Sequence, residues 1–232
     1  MSKWTKTIKL SQCTPDMAIK NTGKSKDMSK ESNVESSSEN NSENRNAISK
    51  ESTRDKLLKL ASELMREKGY AGFSYADLAD EIGIKKASIH HYFPTKADLG
   101  LAVVSASHDD VRQTFAKIES NHSDVQGRLT AYVDLFTDTC ERLPMCAALV
   151  ADKHKLPEVL IAKTQDNFTL QLDWLEKVLN QAVENKEIQP LNISDTALMI
   201  LNLCEGASLV ANALGDKGIF ERTKKQILAM VG

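Results

Sequence analysis

Phe73-Ser-Tyr-Ala-Asp-Leu-Ala-Asp-Glu-Ile-Gly83-Ile-Lys-Lys-Ala-Ser-Ile-His-His-Tyr-Phe93-Pro-Thr-Lys-Ala-Asp-Leu99 is the stretch that decides the fold of this 232-residue chain. Ser74 offers a hydroxyl to cap a helix start, and Asp77, three residues on, completes a capping box. Phe73 and Leu78 stand at hydrophobic-staple spacing around that cap. Leu78, Ala79 and Ile82 share one face of the helix, and Gly83 supplies the backbone freedom for a tight turn. Ile84 and Ile89 are expected to face the core from a second helix. Pro94 ends that helix, because the residue before a proline is pushed out of the helical region. Thr95, with Asp98 three residues on, caps the next. Two short helices around a glycine turn, followed at once by a third, read as a helix-turn-helix. The second helix of such a unit lies in a DNA major groove.

Gly83-Ile-Lys-Lys-Ala-Ser-Ile-His-His-Tyr-Phe-Pro-Thr-Lys96 resembles the recognition-helix signature of the TetR (tetracycline-repressor-like) family of bacterial regulators. The resemblance runs from about Thr53 to Val104. It implies an all-α protein: an N-terminal three-helix helix-turn-helix domain joined to a larger helical ligand-binding and dimerisation domain. Carried over by position, Lys85, Lys86, Ser88, His90, His91 and Tyr92 lie on the DNA-facing helix. Ser74 joins the DNA-binding set, and Lys96 contacts phosphate from the start of the fourth helix. The family commonly has Ser or Thr where Lys85 stands, Gly where Ala87 stands and Tyr where His90 stands. The resemblance also implies the mode of action: a homodimeric repressor on a palindromic operator, released by a small-molecule effector.

The chain divides into three parts. Residues 1–48 are polar and biased, centred on Ser36-Ser-Ser-Glu-Asn-Asn-Ser-Glu-Asn44, and read as a disordered tail. Residues 49–105 form the DNA-binding domain. Leu57, Leu60, Ala61, Leu64 and Met65 make one buried face of its first helix. Ser52 and Asp55 cap that helix and Gly69 ends it. The fourth helix carries Leu99, Ala102, Val103 and Ala106.

Residues 106–232 read as helical throughout. Leu129, Tyr132, Val133, Phe136 and Cys140 form a stripe. Pro144 interrupts it before a restart at Met145–Ala151, and Pro157 opens a long helix to about Val183. Ser194 is expected to cap a helix that is apolar on nearly all sides from Ala197 to Leu214, and so buried all round, partly by a second subunit. Its Gly206, Ala207, Ser208, Ala211 and Ala213 suit close helix packing. Gly218 to Val231 makes the last helix, and the last two helices together are the expected homodimer interface.

Composition narrows the function classes. Formal net charge is −2, so a DNA binder here needs a local basic face, which Lys85, Lys86 and Lys96 supply. Four cysteines in no framework pattern suggest a reducing cytoplasm. No run of eighteen apolar residues is present, so no membrane partner is expected. No phosphate-cradling glycine loop, Gly-x-Ser-x-Gly elbow or His-Glu-x-x-His is present, and no enzyme is expected. Cys140, Cys146 and His154 match no zinc spacing, so no metal or cofactor is expected either.

The candidate effector pocket draws on Tyr132, Phe136, Cys140, Met145, Cys146, Leu149, Phe168, Leu172, Trp174, Leu201 and Cys204. They are mostly apolar and polarisable, which suits an apolar or aromatic ligand. The competing reading makes the same stripes plain core. Two alternatives stay open. Cys146, after Pro144 at a helix start, is placed for a lowered thiol pKa, so the scaffold could sense oxidants or electrophiles with Cys140 as resolving partner. The chain could also be a helical ligand-binding or adaptor protein without specific DNA binding.

Overall fold

Helix starts in the N-terminal third are written by short side chains that hold their own backbone. Ser52 Oγ accepts from the Asp55 N–H at 3.1 Å and opens α1 (Thr53–Lys68), which stops at Gly69 with φ 72°. A 3₁₀ turn, Tyr70–Gly72, leads to the Ser74–Asp77 capping box of α2 (Tyr75–Ile82). Gly83 ends α2 in the left-handed region at φ 75°, ψ 37°. Ile84 follows in the turn, not in the helix as expected, and α3 (Lys86–Tyr92) begins after it. The Thr95–Asp98 box then opens α4 (Lys96–Asn121). The computed structural model describes residues 52–137 and 142–232, so the expected tail at 1–48 and Cys140 lie outside the described residues.

The remaining elements are α5 (Val125–Asp134), α6 (Met145–Val150), α7 (Glu158–Glu184), α8 (Ile193–Leu214) and α9 (Gly218–Val231). The protein is all helical, with no strand among the described residues. Pro144 and Pro157 stand immediately before α6 and α7, where a missing N–H costs no helical hydrogen bond. Because α5 ends at Asp134, Phe136 lies beyond it and not on its stripe.

Two apolar cores hold the helices. One joins Leu57, Ala61 and Met65 of α1 to Leu78 of α2, Ile89 of α3 and Leu99 and Val103 of α4. It also takes in Met145 and Leu149 of α6 and Leu160 of α7, well beyond residue 105. α4 crosses the expected 105/106 division unbroken. At Gly100 it comes so close to its neighbours that an added Cβ would lie 2.8 Å from Leu160 Cδ2 and 3.0 Å from Tyr70 Cε2.

The second core stacks Phe115 of α4 on Trp174 of α7, ring centroids 4.4 Å apart, with Tyr132 of α5 beside them. Polar bridges fix its rim. Glu119 accepts from Trp174 Nε1 at 2.9 Å and pairs with Lys177 at 2.8 Å. Lys224 of α9 pairs with Asp134 at 2.6 Å.

The start of α8 differs from the sequence expectation. Asn192 caps it, its side chain accepting from the Asp195 N–H at 3.2 Å, while Ser194 donates instead to Glu176 at 2.8 Å. Within one chain α8 is not buried all round. Ala197, Ile200, Leu201, Cys204 and Ala211 point inward, whereas Leu198, Met199, Leu203, Leu209, Val210 and Leu214 are exposed. The small residues divide in the same way: Ala207, Ser208 and Ala211 are buried, and Gly206 and Ala213 are exposed. With a mean hydropathy of 1.5 over eighteen residues, α8 meets the length and composition of a membrane span, although polar residues interrupt its apolar run. It carries Asp195 and Glu205, and it packs against α7 and α9.

Candidate DNA-reading head and ligand cavity

α3 turns one residue inward. Ile89 is 0% exposed in the first core, while Lys85, Lys86, Ser88, His90, His91 and Tyr92 all lie on the exposed side. Lys85 is the N-cap and makes no side-chain capping bond, since an ammonium only donates. Ser74 sits exposed at the start of α2, its oxygen accepting from the Ala76 N–H at 3.2 Å and the Asp77 N–H at 3.4 Å. Asp77 accepts from the Ser74 hydroxyl at 2.9 Å, and the hydrogen bonds from Ser74 hold the Asp77 carboxyl below the usual carboxylate range.

Two residues expected to meet DNA are drawn back into the head. His90 Nδ1 lies 3.1 Å from Pro94 O, and its ring stands edge-on to Tyr75 at 4.8 Å. Lys96 donates to Phe73 O, and its ammonium lies over the Phe73 and Tyr70 rings at 4.2 and 4.9 Å. Burial lowers the Lys96 pKa, although the carboxylate of Asp77 opposes the shift. The short run from Phe73 to Lys96 brings those rings beneath the lysine, a contact that helical periodicity does not encode.

Tyr75 was missed by sequence reasoning. Its Oη lies 2.9 Å from Phe93 O and 2.6 Å from Thr95 O, so its single proton serves the turn between α3 and α4. Burial, with the nearby Asp98 carboxylate, pushes the phenol up to about 12, and it stays protonated. An aromatic on the inner face of α2 carries no local sign of an acceptor eighteen residues away.

A cavity of about 160 Å³ lies where α1, α4, α6, α7 and α8 meet. Of the expected lining, Phe136, Met145 and Cys146 border it. Tyr132, Leu149, Trp174, Leu201 and Cys204 are instead closed into the two cores, and Phe168 and Leu172 pack partly buried against the second. Tyr132 spends its hydroxyl on Gln171 Oε1 at 2.9 Å. The polar lining was not expected: Arg66 from α1, Asn167 and Gln171 one turn apart on α7, and Glu205 from α8. A carboxylate inside the apolar run of α8 was the available signal. Burial pushes the Glu205 carboxyl up to about 7.

The two described cysteines, Cys146 and Cys204, do not meet the condition for an activated thiol. Cys146 is buried at the start of α6, and burial, with Glu205 adding to it, pushes its thiol up to about 12. A hydrogen bond with Asn167 and the charge of Arg66 oppose that shift without cancelling it. Cys204 is raised further, first by burial. A thiolate is the reactive form, so the lowered pKa expected for Cys146 is overturned. Among the described residues no cluster of His, Cys, Asp and Glu could hold a metal ion.

Comparison with known proteins converges on one family. The family model described as "Bacterial regulatory proteins, tetR family" matches residues 57–103, from α1 into α4. The HTH-type transcriptional regulator CymR of Pseudomonas putida is 26% identical over 182 residues, which are 76% of this chain and 87% of CymR. A TetR-family transcriptional regulator from Legionella pneumophila is 28% identical, with a TM-score of 0.71 over 80% of this chain and 100% of the other. Another from Agrobacterium tumefaciens is 30% identical, with a TM-score of 0.73 over 77% of this chain and 96% of the other. The fold is therefore shared along nearly the whole length of these relatives. The chain belongs to the TetR family of DNA-binding transcriptional regulators.

Proposed function

We propose that the chain acts as a homodimeric repressor that grips a palindromic operator and is released when a small molecule fills the cavity. The observation that carries this reading is the outward stripe of α8. Leu198, Met199, Leu203, Leu209, Val210 and Leu214 make an apolar face too large to leave in water. A surface groove between α8 and α9, bordered by Leu203, Val210, Leu214 and Ile219, continues it. A second copy packed on this face by two-fold symmetry makes the interface isologous, and two symmetry-related α3 helices then read an inverted repeat.

Lys85, Lys86, Ser88, His91 and Tyr92 meet DNA in this reading, with Ser74 at the flanking phosphates. His90 and Lys96 position the reading helix. Ligand and operator each weaken the binding of the other by the same factor, as linkage requires.

Selection of genomic fragments by the purified protein tests this, paired with sedimentation of the wild type and of Val210→Glu. The reading expects an enriched inverted repeat, a wild-type dimer and a monomeric variant that loses the repeat. An enriched site without symmetry, bound by a monomer, would overturn it.

A further inference from the structure

Four buried side-chain polar atoms among the described residues lack a hydrogen-bond partner: Arg66 Nε, His108 Nδ1, Asn167 Oδ1 and Glu205 Oε2. Three of them, all but that of His108, belong to residues lining the one cavity. Native interiors rarely leave such atoms unpaired, and each calls for its own account. Asn167 is the sharpest case, at 2% exposure. The lining also has polar Ser107 and Gln171 and apolar members, with Phe115 and Phe136 among them.

We propose that the cavity takes a single-ring organic acid that also bears a hydrogen-bond donor, its carboxylate held by Arg66 and its donor by Asn167 and Glu205. This rests on the effector reading above and names the ligand's chemistry. A guanidinium only donates, and its fork matches a carboxylate. Burial and the neighbouring Arg142 both lower the Arg66 pKa, opposed by Cys146 and Glu63. Glu63 is itself shared with Arg142 at 3.9 Å. Arg66 is therefore the guanidinium that lines the cavity, with Arg142 and Glu63 near it but outside the lining.

Asn167 Oδ1 accepts hydrogen bonds, as does Glu205 Oε2 once its carboxyl is ionised, which calls for a hydroxyl or amine on the ligand. The volume is close to that of a cavity known to hold benzene, so it has room for one ring. Arg66 follows Met65, which is fully buried in the head's core, and Glu205 stands between the inward Cys204 and the exposed stripe of α8. A ligand held at both ends thus ties the reading head to the helix that pairs the subunits.

The test is calorimetric titration of the full-length protein with 4-hydroxybenzoate and 4-aminobenzoate, beside benzoate, phenol and toluene. The two substituted acids should bind at least tenfold tighter than benzoate, which lacks the donor, or phenol, which lacks the carboxylate. Arg66→Gln should abolish the preference for 4-hydroxybenzoate over phenol. Arg66→Lys, which keeps the charge but loses the fork, should fall between the two, with helicity and melting recorded for both variants. The wild-type preference decides the matter even if a variant fails to fold.

Toluene and phenol binding as well as the acids would overturn the proposal in favour of an apolar site. No binding by any of the five would overturn it in favour of a water-filled cavity. Genomic selection separates the two readings: a specific DNA site without acid binding sinks this inference alone. Acid binding without a DNA site sinks the operator reading, and acid binding that leaves operator affinity unchanged sinks the bridge between head and dimer helix.

Discussion

The helix-turn-helix head and the surroundings of the cavity in this protein treat polar groups in opposite ways. In the head, Ser74 and Asp77 satisfy each other, as do Thr95 and Asp98, and Tyr75 shares its one hydroxyl proton between two carbonyls. Around the cavity, Arg66, Asn167 and Glu205 each keep a buried atom without a partner. The contrast is visible in hydrogen-bond accounting, although the two regions share α4 and α6 and Arg66 itself stands on α1.

The largest expected effect probes that sharing. Trp174→Ala removes the ring stacked on Phe115 and the donor to Glu119, and should cost about 3–5 kcal/mol in urea unfolding. Because α4 contributes to both cores, one cooperative transition is expected. Amide exchange in α3 that keeps its protection while α7 opens would show the two regions melting independently.

Next comes the pH dependence of the cavity. The folded Glu205 carboxyl titrates near 7, above its ordinary 4.5, so the folded state holds this proton more tightly than the unfolded chain does. Its contribution to stability is complete below about 4.5, falls as pH rises towards 7 and is gone above that. The ceiling is about 3 kcal/mol, reduced by the residual exposure of the side chain. Glu205→Gln should therefore gain on the wild type between pH 5 and pH 8, read as the difference in urea midpoints. A constant difference across that range would mean that the carboxyl titrates normally.

Smaller effects sharpen the account of the head. Tyr75→Phe strips a donor from Phe93 O and Thr95 O and should cost about 1–3 kcal/mol, with faster amide exchange in α3. Gly83→Ala meets no atom within 4 Å, so only the positive φ of 75° opposes it. It should cost about 1–2 kcal/mol in thermal melting. A neutral result there would show that the turn can relax.

The head was legible because its boundaries are local. A hydroxyl and a carboxylate three residues apart mark a helix start whatever packs above it, and the boxes at Ser74 and Thr95 stand where that spacing put them. The last helix, Gly218–Val231, matched for the same kind of reason, since Gly215 in the left-handed region closes α8 just before it. The cavity was not legible. Stripes such as Leu129, Tyr132 and Val133 show which side of a helix faces inward, but not where inward-facing helices fail to meet. Tyr132 and Trp174 fill space completely, whereas the polar Arg66 and Gln171 border the gap. Asn192 displaced Ser194 as a cap because Asp195, not the residue three beyond Ser194, was available to answer it.

The placement of Lys96 has a consequence for ion counting. A cation that neutralises a DNA phosphate releases about 0.9 of a condensed counterion, and the slope of log affinity against log salt counts such cations. Lys96 already has a carbonyl and two ring faces around its ammonium. Two protomers carrying Lys86→Gln should flatten that slope by about 1.8, the loss of two phosphate contacts. Lys96→Gln should leave the slope where it was and appear instead as a less stable head, so salt titration alone separates a lysine spent on DNA from one spent on the fold.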